Sequence, residues 1–271
     1  MEAGEMHGHP GEAFFGIAAV SLLQKGQKEP AFKRVESFLQ RFGYLDRDKH
    51  ASRGELTPEV SHAIRGYQQQ HALPESGEFD EQTRAQMTTS RCGMADPATA
   101  LAFTTVCAWD RTDLTYAIDA GTSDIPGEEE FTAVRSAFDT WQIHTPLNFF
   151  EILPTDGPDI VVGWRSTVHE DFDLTGGAIA HADFPPNCEL LSPGLPQPLH
   201  FDNGEHFWVV GASPTAHDVE SVALHEIGHI IGLEHSNVPG AVMFPTISTN
   251  TIRRTLTTDD KDGALSLYPF P

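Results

Sequence analysis

Residues 225–235 read His225-Glu226-Ile227-Gly228-His229-Ile230-Ile231-Gly232-Leu233-Glu234-His235, which is the pattern H-E-x-x-H-x-x-G-x-x-H. Histidines four residues apart lie on one face of a helix, about one turn apart, so His225 and His229 can reach one ion. Gly232 can adopt the backbone conformation that ends a helix, which lets the chain turn back and bring His235 to the same ion. Three protein ligands with an open fourth position are typical of catalytic zinc.

The residue after the first histidine completes the chemistry. Glu226 lies beside the first ligand, where its carboxylate can accept a proton from a water bound to the zinc. A bare H-E-x-x-H occurs by chance in helices, whereas the form extended by a glycine and a third histidine is a specific signal. We therefore interpret the segment as a catalytic zinc helix rather than as a surface helix with histidines.

Composition limits the classes of function. The 271 residues suffice for one or two domains, and the net charge of −22 argues against nucleic acid and anionic membranes as partners. No segment approaches the length of a membrane span. The apolar run at 14–23 lacks a basic region before it, so we do not interpret it as a signal peptide. Of the three cysteines, Cys107 and Cys188 can pair in an oxidising compartment, and the sequence leaves this open.

The N-terminal part predicts a small helical unit of three helices between residues 31 and 89. Apolar residues at helical spacing begin at Phe32, and Gly43 ends this first helix. Thr57-Pro58 opens the second helix, because proline is favoured in a first turn. Asp80 is the predicted N-cap of a third helix that reaches Met87.

The C-terminal part predicts strands and helices in one layered domain. Alternating apolar residues indicate strands at 114–118, 147–153, 160–164 and 178–184. Helices are predicted at 128–145, at 217–231 with Asp218 as N-cap, and from Thr258 to Leu267. The proline-rich residues 185–198 are predicted to form a loop. This order predicts an α+β or α/β domain with a mixed sheet.

A segment downstream of the third histidine reveals a family resemblance. Ala241-Val242-Met243-Phe244-Pro245 follows the zinc motif, and the chain from Phe32 onward resembles the matrix metalloproteinases (matrixins), a branch of the metzincins. Met243 matches the methionine of the family's Met-turn, which underlies the zinc ligands. The resemblance implies a catalytic domain with a twisted mixed five-stranded sheet and three helices. We expect a form without the hemopexin-like domain that many relatives carry.

The resemblance also divides the chain into four parts. It implies an N-terminal segment at 1–30, a peptidoglycan-binding-like prodomain at 31–89, a linker at 90–108 and a zinc protease domain at 109–271. The linker contains Ser90-Arg91-Cys92-Gly93-Met94-Ala95-Asp96, which resembles the cysteine switch P-R-C-G-x-P-D.

The switch motif predicts an inhibited enzyme. A thiolate is a good zinc ligand, so Cys92 is predicted to occupy the fourth position and displace the catalytic water. The resemblance implies that Arg91 and Asp96 pair and hold the loop. Both family prolines are replaced, by Ser90 and Ala95, which predicts a more flexible loop and leakier latency.

A second metal site is predicted from a further histidine group. Three imidazoles and a carboxylate form a closed tetrahedral set, which the resemblance implies is a structural zinc site. The predicted ligands are His169, Asp171, His181 and His200. The loop between Asp171 and His181 is about three residues shorter than the common family pattern.

The resemblance further implies a calcium site next to this zinc. Carboxylates and loop carbonyls are the hard oxygen ligands that calcium requires. The predicted ligands are Asp173, Gly176, Asp202 and Glu205. Leu174 stands where the family usually has glycine.

The substrate pocket beside the zinc is expected to be lined by Val222, Pro245 and Ile247. Relatives often have tyrosine at the position of Ile247, so we expect a wider, purely apolar pocket and a hydrophobic residue after the cleaved bond. The resemblance implies that Asp259 pairs with the new N-terminal ammonium after activation.

The sequence therefore predicts a latent, secreted, monomeric zinc endopeptidase with one catalytic zinc, one structural zinc and calcium. Its expected partners are protein or peptide substrates in the extracellular matrix and an activating protease. The alternative is a module that binds cell-wall glycan or protein around a zinc-stabilised core. Glu226 argues against this alternative, because a purely structural zinc site has no use for its carboxylate.

Overall fold

The computed structural model describes residues 16–97, 102–169, 172–186, 188, 190–191 and 194–270. Its two largest hydrophobic cores lie in a helical unit and in a unit built around a sheet. The helices are α1 (Lys33–Arg41), α2 (Pro58–Gln70), α3 (Glu81–Met87), α4 (Glu129–His144), α5 (Val219–Ile230) and α6 (Thr258–Leu267). The strands are β1 (Asp113–Ala120), β2 (Asn148–Glu151), β3 (Ile160–Arg165), β4 (Ala180–Ala182), β5 (Gln197–Asp202), β6 (Trp208–Val209) and β7 (His217–Asp218).

The three predicted N-terminal helices are confirmed. The side chain of Thr57 accepts a hydrogen bond from Val60 N at 3.2 Å, and that of Asp80 accepts one from Thr83 N at 2.8 Å. Both helices therefore begin at side chains that satisfy a first-turn N–H. Buried aromatic and aliphatic side chains fill the space between the helices, among them Phe32, Val35, Leu39, Ile64 and Tyr67.

The predicted mixed five-stranded sheet is also confirmed, in the order β2-β1-β3-β5-β4. Strands β2, β1, β3 and β5 are parallel, and β4 alone is antiparallel to its neighbour, with His181 opposite His200. The short strand β4 forms one edge of the sheet. Its outer side has backbone groups that can pair with another segment of chain.

Strand β5 corrects the sequence analysis, which predicted a loop over 185–198 and no strand after it. Gln197 and Pro198 already belong to β5, and Pro198 lies opposite Val161 of β3. Proline has no N–H for the ladder, so it argues against an interior strand in a sequence pattern. Here the carbonyl of Pro198 still accepts a hydrogen bond from Asp183 N at 3.1 Å.

Helix α5 is held in place by α4 and by the sheet. The buried indole of Trp141 on α4 donates from Nε1 to the carbonyl of Leu224 on α5 at 2.9 Å. The predicted N-cap Asp218 accepts a hydrogen bond from Ser221 N at 3.0 Å. Helix α6 begins with a capping box of Thr257 and Asp260. These contacts fix α5 beside β4 and β5.

Candidate active site

Helix α5 carries four of the predicted site residues on its buried surface, which are Val222, His225, Glu226 and His229. Its remaining residues are mostly aliphatic or small, so the helix is buried along nearly its whole length. The rings of His225 and His229 lie one turn apart, with centroids separated by 4.9 Å. Both rings therefore face one point in the cleft.

Gly232 turns the chain back toward the same point. Its φ is +99°, a conformation that L side chains rarely adopt, and a Cβ there would collide with the carbonyl of Cys107. Leu233 N donates to Gly228 O at 2.9 Å, which closes the helix end. As a result, the ring centroid of His235 lies 4.8 Å from that of His229.

The three imidazoles are oriented by hydrogen bonds at their outer nitrogens. His225 Nδ1 lies 2.7 Å from Val242 O, His229 Nδ1 lies 2.7 Å from Leu233 O, and His235 Nδ1 lies 2.8 Å from Asp96 Oδ1. Each Nδ1 therefore carries its proton, and each Nε2 lone pair is free to bind a metal. His229 Nε2 and His235 Nε2 are 3.3 Å apart, and burial lowers the pKa of both rings, which keeps them neutral. This donor set fits zinc.

Cys92 and Glu226 complete the surroundings of this point. Cys92 Sγ lies 3.5 Å from both His229 Nε2 and Glu226 Oε2, and its sulfur groups with the three histidines within 4.8 Å. Burial raises the pKa of Glu226 to about 8. Burial, followed by the charge of Glu226, also raises the pKa of the Cys92 thiol. A dication bound here would lower both pKa values again.

Met243 lies directly beneath the zinc helix. Its thioether fills the space that a Cβ at Gly228 would need, next to Trp141. The carboxylate of Asp260 accepts hydrogen bonds from Val242 N and Met243 N, both at 3.0 Å. Sequence reasoning missed Asp260, whose only signal was its place in the first turn of α6.

The switch segment lies in the cleft between two walls of backbone. It forms a parallel bridge from Arg91 to Ala178, next to the edge strand β4, and an antiparallel bridge from Arg91 to Thr246. Four backbone hydrogen bonds connect it to these walls: Ile179 N to Arg91 O at 2.9 Å, Gly93 N to Ala180 O at 2.8 Å, Cys92 N to Pro245 O at 3.0 Å and Ile247 N to Ser90 O at 3.0 Å.

Arg91 and Asp96 form a buried pair that reaches His235. The guanidinium binds both carboxylate oxygens, at 2.9 and 3.0 Å, and stacks 3.6 Å from the ring centroid of Phe42. Burial alone raises the pKa of Asp96, but Arg91 and His235 override this and hold it well below its usual range. Tyr44 also donates its hydroxyl to Asp96, at 2.5 Å. Sequence reasoning missed the contact between Asp96 and His235.

The predicted pocket residues Val222, Pro245 and Ile247 all line one cavity beside Glu226. The cavity has a volume of about 10 Å³, which is room for about one water molecule. Arg253 also lines it and donates to the carbonyls of Phe244 at 3.3 Å and Thr246 at 3.2 Å. The expectation of a purely apolar pocket is therefore wrong, because Arg253 forms part of the wall, whereas a pocket wider than that of relatives stays a prediction.

The second histidine group is also brought together. His169 Nε2 lies 2.9 Å from His181 Nε2 and 3.3 Å from His200 Nδ1. The fourth predicted ligand, Asp171, lies outside the described residues. Three ring nitrogens at these separations fit the histidine part of the predicted set.

The predicted calcium ligands lie in two loops joined by Glu205. Glu205 Oε2 accepts hydrogen bonds from Gly176 N at 2.9 Å and Gly177 N at 3.0 Å. Asp202 and Glu205 group with His206, which sequence reasoning missed. Asp173 is not in this group, and its Oδ1 accepts a hydrogen bond from Thr175 N at 2.9 Å.

Comparison with known proteins identifies the family. The family model for matrixin peptidases matches residues 108–269, and the model for a putative peptidoglycan binding domain matches residues 28–87. The chain belongs to the matrixin family. This family consists of zinc metalloendopeptidases, so the chain is classed as a metalloendopeptidase.

Several curated relatives are about a third identical to this chain over the residues that align. Metalloendoproteinase 1-MMP of Arabidopsis thaliana is 32% identical over 91% of the chain and 71% of its own length. Human matrix metalloproteinase-16 is 32% identical over 88% of the chain, and human matrix metalloproteinase-19 is 32% identical over 85%. The chain spans 41% and 44% of these two human relatives.

Two further features of this matrixin lie outside the metal sites. Cys107 and Cys188 form a disulfide across 81 residues. Asp259 Oδ1 accepts a hydrogen bond from Phe103 N at 2.8 Å. Among the described residues, no helix is both long enough and apolar enough to cross a membrane.

Proposed function

We propose that this matrixin is a latent zinc endopeptidase whose cleft is closed by its own Cys92 segment. The observation that carries the proposal is the convergence of three histidine Nε2 atoms and the Cys92 sulfur beside Glu226. Zinc held by His225, His229 and His235 would supply a Lewis acid that polarises a peptide carbonyl and acidifies water.

The residues around the zinc divide the remaining chemistry. Glu226 takes the proton of the attacking water and passes it to the leaving amine, for which its buried place next to His225 on α5 suits it. The substrate adds as a strand between β4 and residues 245–247, along the backbone groups that now pair with residues 90–93. The side chain after the cleaved bond enters the cavity lined by Val222 and Ile247.

Latency follows from the same segment. Cys92 would be a further ligand of the zinc and would exclude the water, and the pair of Arg91 and Asp96 holds the loop. In this proposal residues 31–89 are the prodomain, 90–108 the switch and linker, and 109–271 the catalytic domain. The contact of Gln86 Nε2 with Thr246 Oγ1 at 3.0 Å supports a direct role for α3 in covering the pocket.

Activation is proposed to free an ammonium group that Asp259 binds. The amide of Phe103 already donates to this carboxylate, and Asp259 Oδ2 is buried without a hydrogen-bond partner among the described residues. A cut between Ala102 and Phe103 would place a positive charge at this position. N-terminal sequencing of the active form should then begin at Phe103.

The remaining assignments complete the proposal. We assign a structural zinc to His169, His181, His200 and Asp171, and a bracing cation, predicted from the sequence to be calcium, to the loops around Glu205. The disulfide of Cys107 and Cys188 supports an oxidising, extracellular setting with protein substrates and a separate activating protease. We expect a monomer.

A second candidate function is supported by the match of residues 28–87 to a putative peptidoglycan binding domain. In this reading the helical unit binds cell-wall glycan. Sedimentation of the intact chain with insoluble peptidoglycan tests it, and a chain that stays in the supernatant removes this candidate.

The peptidase proposal is tested with a quenched fluorescent peptide and four zinc-loaded forms. We expect low activity for the intact chain and high activity after the prodomain is cleaved. Cys92→Ser should give intermediate activity, because the backbone hydrogen bonds of residues 90–93 remain. Glu226→Ala should be inactive after the same cleavage, and hydrolysis by it at the level of the parent would refute the assigned base.

A further inference from the structure

A third group of metal-ligating side chains lies where β5 ends, apart from the two histidine sites. Asp202, Glu205 and His206 each bring one ligand atom within 4.8 Å of the others. The sequence predicts calcium for the two carboxylates, but it does not predict an imidazole next to them. A nitrogen ligand matters because calcium binds almost only oxygen.

In both Asp202 and Glu205, one carboxylate oxygen accepts hydrogen bonds from neighbouring residues. Asp202 Oδ1 accepts hydrogen bonds from Thr167 Oγ1 and Gly204 N, both at 2.8 Å. Glu205 Oε2 is held by the two glycine amides of the neighbouring loop. Asp202 Oδ2, in contrast, is buried and has no hydrogen-bond partner within the part of the chain that is described.

His206, the third member of the group, also has an unpartnered atom. The residue is only 8% exposed, and the Nε2 atom of its ring has no hydrogen-bond partner among the described residues. A buried acceptor without a partner is destabilising, because it has lost its hydrogen bonds to water. An unpartnered, buried carboxylate oxygen of Asp202 beside a second carboxylate and an imidazole is best explained by a positively charged occupant of the group.

We propose that Asp202, Glu205 and His206 form a mixed oxygen and nitrogen site that selects a divalent transition-metal ion, of the manganese-to-zinc series, over calcium. Calcium takes six to eight oxygen ligands, whereas an imidazole suits borderline ions of this series. The inference rests on the proposed bracing cation of these loops and not on the catalytic zinc. The bound ion would link the end of β5 to the glycine loop that precedes β4.

The test uses Mn²⁺ as a probe of the full chain, loaded with two equivalents of Zn²⁺ and carrying Glu226→Ala to prevent self-cleavage. Pulsed electron paramagnetic resonance should detect coupling of Mn²⁺ to an imidazole nitrogen. His206→Gln should abolish this coupling and weaken Mn²⁺ binding on the order of 10- to 100-fold. Its Ca²⁺ affinity should stay the same or rise, because the amide supplies an oxygen.

His217→Gln is the matched control, because its ring centroid lies 5.2 Å from that of His206 and yet it is outside the group. This variant should keep the nitrogen coupling. If His206→Gln loses its native circular dichroism, Glu205→Gln should weaken Mn²⁺ binding by a similar factor. The inference is overturned if the parent lacks nitrogen coupling, if His206→Gln retains it, or if equimolar Ca²⁺ displaces Mn²⁺. Peptide hydrolysis by the chain with intact Glu226 is measured separately, so either proposal can fail alone.

Discussion

The substitution Asp96→Asn tests how latency is built. Asp96 binds Arg91 through both oxygens and also reaches His235, and neither the carboxylate nor the guanidinium is exposed to solvent beyond 1%. Asparagine keeps the size of the side chain but removes its charge. The variant therefore leaves Arg91 as a buried charge without its counter-ion.

The magnitude follows from this burial. Removing one partner of a buried ion pair costs about 3 to 5 kcal/mol. Each 1.4 kcal/mol is about a factor of ten, so the open form of the switch would gain roughly two to three and a half orders of magnitude. This is an upper limit for two reasons. Water can hydrate the Arg91 guanidinium once the loop leaves the cleft, and part of the lost free energy lowers the stability of the helical unit instead of opening the switch.

The assay is the rate of peptide hydrolysis by the intact, zinc-loaded chain. We expect the intact Asp96→Asn chain to hydrolyse the peptide at least tenfold faster than the intact parent. The two mature forms, which lack residue 96, should be equally active. Asp80→Asn is the control of the same type, since Asp80 caps α3 and asparagine caps equally well. An Asp96→Asn zymogen as silent as the parent would refute the assigned role of the buried pair.

Three further predictions concern the turn, the pocket and the helical unit. Gly232→Ala forces a side chain into a positive φ and against a backbone carbonyl, so we expect a lower thermal midpoint and less bound zinc by metal analysis. Arg253→Ala removes a side chain that lines a cavity of about 10 Å³, so kcat/KM should rise for peptides with a long apolar residue after the cleaved bond. If the ratio of kcat/KM for such peptides to kcat/KM for peptides with a short residue there does not change, the prediction is contradicted. Burial lowers the pKa of His50, but hydrogen bonds to Glu36 and Glu59 raise it above its ordinary value. Its stabilising contribution is thus full below about pH 6.5 and is lost as pH rises through the folded pKa, which the thermal midpoint of the parent against His50→Gln should reveal.

The elements that could be predicted from the sequence are those that local signals encode. Helix α3 begins after Asp80 and ends at Met87, and α6 spans Thr258–Leu267, both as predicted. Caps, prolines and helical spacing act within a few residues, so a single sequence contains them. The histidine motif is equally local, because eleven residues with one turn at Gly232 bring its three histidines together.

The features that were missed depend on partners far away in the chain. Strand β5 contains a proline and follows a proline-rich segment, and only its pairing with β3 and β4 makes it a strand. The bond of Asp96 to His235 spans 139 residues, and that of Asp260 to Met243 spans 17. His206 follows two expected calcium ligands, and nothing in its immediate sequence indicates that its ring turns toward them.

The replaced switch prolines predict leaky latency, but the contacts of the switch loop oppose this. A proline that fits its site stabilises by about 0.4 to 1 kcal/mol, so two of them account for about 2 kcal/mol at most. Arg91 already holds the loop in another way, donating to Cys92 O at 3.1 Å and to Met94 O at 3.2 Å. Four backbone hydrogen bonds to the cleft walls, at about 1 kcal/mol each, outweigh the missing prolines.

Restoring the two prolines should therefore change latency little. Within the described residues, Ser90 N and Ala95 N donate no hydrogen bond, so Ser90→Pro and Ala95→Pro lose none. Each should lower the residual activity of the intact chain by less than about tenfold, whereas Asp96→Asn raises it by more. If either proline variant lowers this residual activity a hundredfold or more, then loop flexibility, and not the buried pair with its backbone contacts, determines the activity of the intact chain.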